Sequence, residues 1–326
     1  TPPIRNLLIY LVTGFLSGRR AVKWRLRRVG ARIQRKCREG ICDPVCLRVL
    51  QEANGGKPME KLIVLGTGNA SVTKCFNTCF LLQDSKDRYF MVDAGGGNGV
   101  LARLEKANVS LRDIHDLFVT HKHTDHLLGV IWVIRNIGQM MRNGSYEDCL
   151  HIYCHDEVAG IIRKICEMTL VEKLMQLFDE RILIHQVEDG EERQILDYNV
   201  KFFDIRSTKA KQFGFVLTLN NGKRLTFCGD EPYQEHCHDY AWQTDYLLHE
   251  AFCLYEQRDI FKPYEKCHST VKDAAELAES LGVGHLLLWH TEDANIRKRK
   301  SLYKKEAKKY YKGIIFVPYD GEIIEL

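Results

Sequence analysis

Ten residues, Leu117 to His126, constrain this chain more than any other stretch. They read Leu-Phe-Val-Thr-His-Lys-His-Thr-Asp-His. The apolar run Leu117-Phe118-Val119 predicts a strand ending at Thr120. The loop and first helical turn that follow then carry His121, His123, Asp125 and His126. Neutral imidazole and carboxylate are the ligand types that suit zinc, iron and manganese. Two divalent ions a few ångströms apart would share the cluster, His121 and His123 facing one, Asp125 and His126 the other. The plain alternative is a solvated histidine-rich loop. A chain of this composition produces the H-x-H-x-D-H string by chance roughly once in a thousand sequences, so a metal site is the expectation.

Around that string the pattern alternates strands and helices. Strands are predicted over 60–66, 77–83, 88–93, 114–120 and 150–154, and helices over 97–107, 126–141 and within 156–179. Further strands fall at 182–187, 198–204, 213–220 and 224–229. Asn220-Asn221-Gly222 joins the last two as a hairpin turn. A helix begins near Ser269, a buried strand covers 284–289, and a basic helix over 297–312 precedes two short closing strands. Strand-rich halves separated by helices call for two packed sheets with helices outside.

Five further segments, in order, complete the picture. Leu62-Ile63-Val64-Leu65-Gly66-Thr67-Gly68-Asn69 is an opening strand and glycine turn. Phe90-Met91-Val92-Asp93-Ala94-Gly95-Gly96-Gly97 places an aspartate before a glycine turn. Phe227-Cys228-Gly229-Asp230 ends a strand on a carboxylate. His268-Ser269-Thr270 and Leu287-Leu288-Trp289-His290-Thr291 follow. With H-x-H-x-D-H, this series resembles the metallo-β-lactamase superfamily, and within it the tRNase Z-like branch, over Met59 to Leu326. The resemblance implies a single α/β domain, an αββα sandwich of two mixed β-sheets flanked by helices.

It also implies a set of site residues. His121 and His123 would hold a first metal, Asp125, His126 and His290 a second, and Asp230 would bridge them. The ions would be zinc, with manganese or iron as alternatives, and two or one in number. A hydroxide held between them would be the nucleophile, oriented by Asp125, and His268 would act as general acid. Glu231, His249 and Glu250 would orient ligands from behind. The family's seventh ligand, a histidine ahead of the Phe213-Gly214-Phe215 strand, is missing: its slot falls near Ser207 or Thr208. Lys209 and Lys211 are placed to meet an anionic substrate there, or are solvated lysines. Ser269 or Thr270 also suits the cap of the next helix.

The implied activity is a metal-dependent phosphodiesterase of ribonuclease Z-like type, acting on a phosphodiester such as an RNA 3′ end. Only about twenty residues separate Thr208 from Asp230, room for one hairpin and not for the Gly/Pro-rich arm with which tRNase Z proteins hold tRNA. The same scaffold would serve a lactone, thioester or other small acyl substrate, or a non-catalytic, metal-stabilised binding protein. Dimers are common in this branch, and the apolar helix after His126 would supply a contact.

Composition sets the remaining bounds. At 326 residues, 45% apolar and 28% charged, the chain has the make-up of a globular protein. Its net charge of +4 conceals an asymmetry, because residues 1–58 carry 13 Lys+Arg against 3 Asp+Glu. That basic extension reads as a translated leader ahead of Met59 or as an RNA-gripping arm, and residues 59–326 as the hydrolase domain. The twelve cysteines are scattered through apolar runs with no secretory pattern before them, which predicts reduced thiols and a cytoplasmic protein. The apolar stretch Leu7 to Leu16 is too short to span a bilayer, so no membrane association is expected.

Overall fold

Strand pattern translates directly into layers. In the computed structural model, which describes residues 60–326, Leu62 and Val64 turn to one face of their strand while Ile63 and Leu65 turn to the other, and all four are buried. A strand apolar on both faces must sit between two layers. The expectations for residues 1–58 lie outside the described residues.

The first sheet contains β1 (Lys61–Gly66), β2 (Cys79–Gln83), β3 (Tyr89–Val92), β4 (Ile114–Phe118), β5 (Leu150–Cys154) and β6 (Ile182–Gln186). The second contains β7 (Glu192–Ile195), β8 (Tyr198–Asp204), β9 (Phe213–Thr218), β10 (Arg224–Phe227), β11 (Tyr246–Glu250), β12 (His285–Trp289) and β13 (Ile314–Phe316). The last strand, β14 (Ile323–Glu325), returns to the first sheet beside β1. From β14 to β6, three antiparallel pairings are followed by three parallel ones. From β7 to β13 the same sequence of pairings repeats. The two sheets are thus built alike.

Between them lies an aromatic layer. Phe80 and Trp289 meet with ring centroids 4.8 Å apart, Phe80 and Phe227 at 5.4 Å, and Phe118 and Phe202 at 4.9 Å. Such pairs add about 0.5–1.5 kcal/mol each beyond the area they bury. Phe80→Ala would cost about 3–5 kcal/mol, because both sheets lose the same contact.

Helices cover the outer faces. On the first sheet lie α1 (Gly99–Lys106), α2 (Thr124–Arg142) and α3 (Asp156–Thr169). Helix α2 buries Leu127, Val130, Ile134, Ile137 and Met141, a three-four spacing that forms one stripe. Its second turn passes so close to the loop after β3 that a Cβ on Gly129 would sit 1.9 Å from the carbonyl of Ala94. Only glycine permits that approach, which locks the first turn of α2 against the Asp93 loop. On the second sheet lie α4 (Val271–Ser280) and α5 (Arg299–Ala307). Thr270 caps α4 through a reciprocal pair with Asp273, the Thr270 side chain accepting from the Asp273 amide and the Asp273 carboxylate from the Thr270 amide.

The parallel strands β4, β10, β11 and β12 all run toward one rim. Ligand-bearing loops leave their carboxyl ends there, as in other open α/β sheets. No helix among the described residues is long and apolar enough to cross a membrane.

Candidate metal centre

The strand β4 ends at Phe118, and Val119 and Thr120 lead into the histidine string. His123 takes the N-cap position of α2 in extended conformation, so His121 lies ahead of the helix while Asp125 and His126 lie inside its first turn. Asp125 there also complements the helix dipole. Asp230 follows β10, and His290 follows β12 with a left-handed φ of 53°. That conformation is costly for a residue with a Cβ and is kept where the surroundings impose it.

These groups converge on one oxygen. Asp230 Oδ2 lies 3.5 Å from His121 Nε2, 3.5 Å from His126 Nε2 and 3.4 Å from His290 Nε2. Asp125 Oδ2 lies 3.3 Å from His126 Nε2. His123 turns its other nitrogen inward, with Nδ1 2.9 Å from His121 Nε2. Two buried triads could hold an ion, His121-His126-Asp230 and Asp125-His126-His290, and because both draw on His126 Nε2 that nitrogen can serve only one of them.

The outer nitrogens explain the orientation. His126 Nδ1 lies 2.7 Å from Asp93 Oδ2, His121 Nδ1 lies 2.9 Å from Thr120 Oγ1, and His290 Nδ1 lies 3.2 Å from Thr78 Oγ1. Asp93, itself at a left-handed φ of 54°, also accepts the Thr120 amide at 2.9 Å and its hydroxyl at 2.8 Å. A ring whose Nδ1 is engaged outside presents Nε2 to the centre, the usual arrangement for a ligating histidine. His126 Nε2 is buried and has no hydrogen-bond partner. An orphaned imidazole nitrogen between two carboxylates fits a divalent cation.

Burial and charge divide the cluster. Burial pushes the His121 pKa well down, and that of His290 down to about 4, so both are neutral donors at pH 7. Burial acts in the same direction on His126, but the Asp125 and Asp93 carboxylates outweigh it and hold its pKa well above the ordinary value. For Asp230 burial works upward, yet the surrounding imidazoles of His121, His126 and His290 keep it well below the carboxylate range. Asp125 is lowered as well, burial again being outweighed by His126 and His290.

A cleft of about 520 Å³ opens over these groups. His123, Asp125, Asp230, His268 and His290 form its floor, with Lys209, Lys266, Phe252 and Phe261 among its walls. His268 stacks on Phe252 at 4.8 Å between ring centroids, and its Nδ1 lies 3.6 Å from Glu250 Oε2. The other oxygen, Glu250 Oε1, accepts the Ser269 amide, while Oε2 and His268 Nδ1 are buried without a hydrogen-bond partner.

A family model described as "Anti-Pycsar protein Apyc1" matches residues 60–306 of this chain. The chain belongs to that family. Ribonuclease Z of Phocaeicola vulgatus is 24% identical to this Apyc1-family chain over 282 residues, 71% of this chain and 88% of that protein. The metallo-β-lactamase fold protein YhfI of Bacillus subtilis superposes with a TM-score of 0.66 at 20% identity, over 82% of this chain and 100% of its own. The short form of human tRNase Z gives 0.62 at 20% identity, over 81% and 98%. The Apyc1-family chain therefore has the metallo-β-lactamase αββα fold.

Not every sequence-selected residue reaches the Apyc1-family cleft. Lys211 is held by Asp156 at 2.5 Å and lies over the Phe213 ring, outside the cleft lining. Glu231 accepts from Ser207 Oγ at 2.5 Å and lies 3.7 Å from Lys209 Nζ, so it positions the wall and meets no ligand. His249 is buried with Nδ1 2.7 Å from the Glu250 carbonyl. Sequence reasoning missed Lys266, Phe252 and Phe261, and it missed Gln212. This buried amide donates from Nε2 to Asp230 Oδ1, with the same nitrogen 2.8 Å from His121 Nδ1. The signal available for Gln212 was its place immediately before the apolar strand Phe213-Gly214-Phe215, where a lone amide is expensive to bury without a partner.

Proposed function

We propose that this protein hydrolyses phosphodiesters, with RNA as the substrate class its ribonuclease Z relatives point to, and that it acts in the cytoplasm. The observation that carries the reading is the convergence of His121, His126 and His290 on Asp230 Oδ2, which offers one ion position toward His121 and His123 and another toward Asp125, His126 and His290, over a cleft lined by Lys209 and Lys266 as well as by Glu292 and Asp293. Two such positions suit the clamp that in-line displacement at phosphorus requires.

His121, His123 and Asp230 would hold one divalent ion, zinc in our reading, and Asp125, His126, His290 and Asp230 the other. Such ions, when bound, supply Lewis acidity and lower the pKa of coordinated water. The chain's own residues do the rest. Asp125, on the cleft floor, orients the attacking water. Lys209 neutralises a non-bridging phosphate oxygen. As the bond from phosphorus to the leaving oxygen breaks, His268 gives that oxygen a proton, and Glu250 keeps the ring aimed. Phe252 backs His268, and Phe261 at the cleft wall offers an aromatic surface to a base.

The test is hydrolysis of bis(p-nitrophenyl) phosphate by the full chain, stripped with a chelator and reloaded with zinc or manganese. Turnover should return with metal and fall more than about a thousandfold in Asp230→Ala, a loss of about 4 kcal/mol in transition-state stabilisation. Hydrolysis of lactones or thioesters with no phosphodiester turnover would refute the proposal.

A further inference from the structure

The segment that should supply a seventh ligand turns its side chains elsewhere. Ser207 Oγ donates to Glu231 Oε1 at 2.5 Å. Thr208 is exposed, its hydroxyl 3.7 Å from Cys267 Sγ. On the His121 and His123 side, Asp230 is therefore the remaining protein group that can face an ion. The two carboxylate oxygens of Asp230 nonetheless have separate fates. Oδ2 faces three imidazoles, and Oδ1 is taken by the Gln212 amide.

Gln212 is built into that position from both ends. Its carbonyl accepts the Ile205 amide at 2.9 Å, and the next amide, of Phe213, donates to the Thr120 carbonyl at 3.1 Å. Thr120 is the residue before His121, so the strand carrying Gln212 is stitched to the loop carrying the histidines. On the other side the carboxamide lies against Gly229, where a Cβ would come within 2.9 Å of Gln212 Cδ and Oε1. Gly229, at a left-handed φ of 73°, thus makes room for the amide directly ahead of Asp230. The side chain is 1% exposed, and its Oε1 has no hydrogen-bond partner. An amide buried with one end unpaired is costly, and it is kept where the other end does something specific.

We propose that Gln212 is a positioning residue that substitutes for the missing seventh ligand. It fixes Asp230 through Oδ1, so that Oδ2 alone meets the ions. It acts on the His121-His123 ion more than on the other, because Asp125, His126 and His290 hold the latter independently of Gln212. The inference rests on the two-ion reading above and is independent of which bond the enzyme hydrolyses.

The experiment is a zinc titration of the metal-free full chain against a competing chromogenic chelator. It compares the wild type with Gln212→Met, which keeps volume and removes the amide, and with Gln212→Ala. The wild type should bind two zinc ions in resolved steps. Both variants should lose 10- to 100-fold in affinity for the weaker step and change less than about threefold in the tighter one. Melting of the metal-free Gln212→Met protein within about 2 °C of wild type would show that the fold is intact. Unchanged weaker-step affinity in Gln212→Met, equal weakening of both steps, or a wild type that binds a single ion would each overturn the proposal. Two bound ions with no phosphodiester turnover would instead defeat the proposed function and leave this role for Gln212 standing.

Discussion

The two halves of the centre differ in how they are made. On one side, Asp125, His126 and His290 are buried, and the two histidines are held from behind by Asp93 and Thr78. On the other, His121 is buried and backed by Thr120, but His123 is half-buried and lines the cleft, and Ser207 and Thr208, where a further ligand is expected, turn away while Gln212 bonds to Asp230. If the proposal for Gln212 holds, a metal position keeps its shape with one ligand fewer because the shared carboxylate stays fixed. The comparison also separates two duties. In the proposed reading the rings held from behind, His121, His126 and His290, anchor ions, and the cleft groups outside both triads, His268 and Lys209, meet substrate.

The sharpest way to break this division is to remove groups that belong to one duty only. His268 lines the cleft and belongs to neither triad, though its ring lies beside His290, so His268→Ala should lower kcat about 10²- to 10³-fold while metal content stays at the wild-type level. A parallel fall in bound zinc would place His268 in the anchoring duty instead. Asp93 touches His126 and never the cleft. Asp93→Asn should weaken the tighter zinc step about 10- to 100-fold, measured by chelator competition, with the KM of the reloaded enzyme little changed.

The smallest expected effect sharpens the comparison without a mutation. In the metal-free protein, NMR titration of the histidine rings should find His290 protonating near pH 4, while His126 remains protonated above neutrality. The signs are opposite and so are the consequences. His290 has a folded pKa below its unfolded value, so the folded state binds fewer protons and this residue destabilises the fold as pH falls through about 6.5 toward 4. His126, with a raised folded pKa, contributes stability that is lost as pH rises through that value. Two rings titrating together near 6.5 would remove the electrostatic basis for the asymmetry.

Legibility in the sequence followed the same line between anchoring and adjusting groups. Strands buried on both faces, such as β1 and β5, were readable because their apolar runs leave no other placement. β7 was not, since Glu192-Arg193-Gln194-Ile195 is exposed but for Ile195 and exists as a strand through pairing with β8. The triads were readable because histidine and aspartate in H-x-H-x-D-H have few other uses. Gln212 was not, because a glutamine carries no ligand signal and its meaning arises only when β9 comes to lie beside Asp230. Lys209 and Lys211 are two residues apart and equivalent on paper. Asp156, brought in by α3, holds one of them outside the cleft, and the other lines it. Lys266 and Phe252 acquire their place from the turn that Glu250 pins, a contact between β11 and the segment ahead of α4 that no local pattern encodes.

Two metal positions of unequal strength about one carboxylate oxygen are the central claim. Zinc-edge anomalous diffraction from crystals of the full chain grown in limiting zinc tests this directly. Two peaks should flank Asp230 Oδ2, with the one beside Asp125, His126 and His290 at higher occupancy. A single peak on the His121-His123 side, or two peaks filling equally at every zinc concentration, would contradict it.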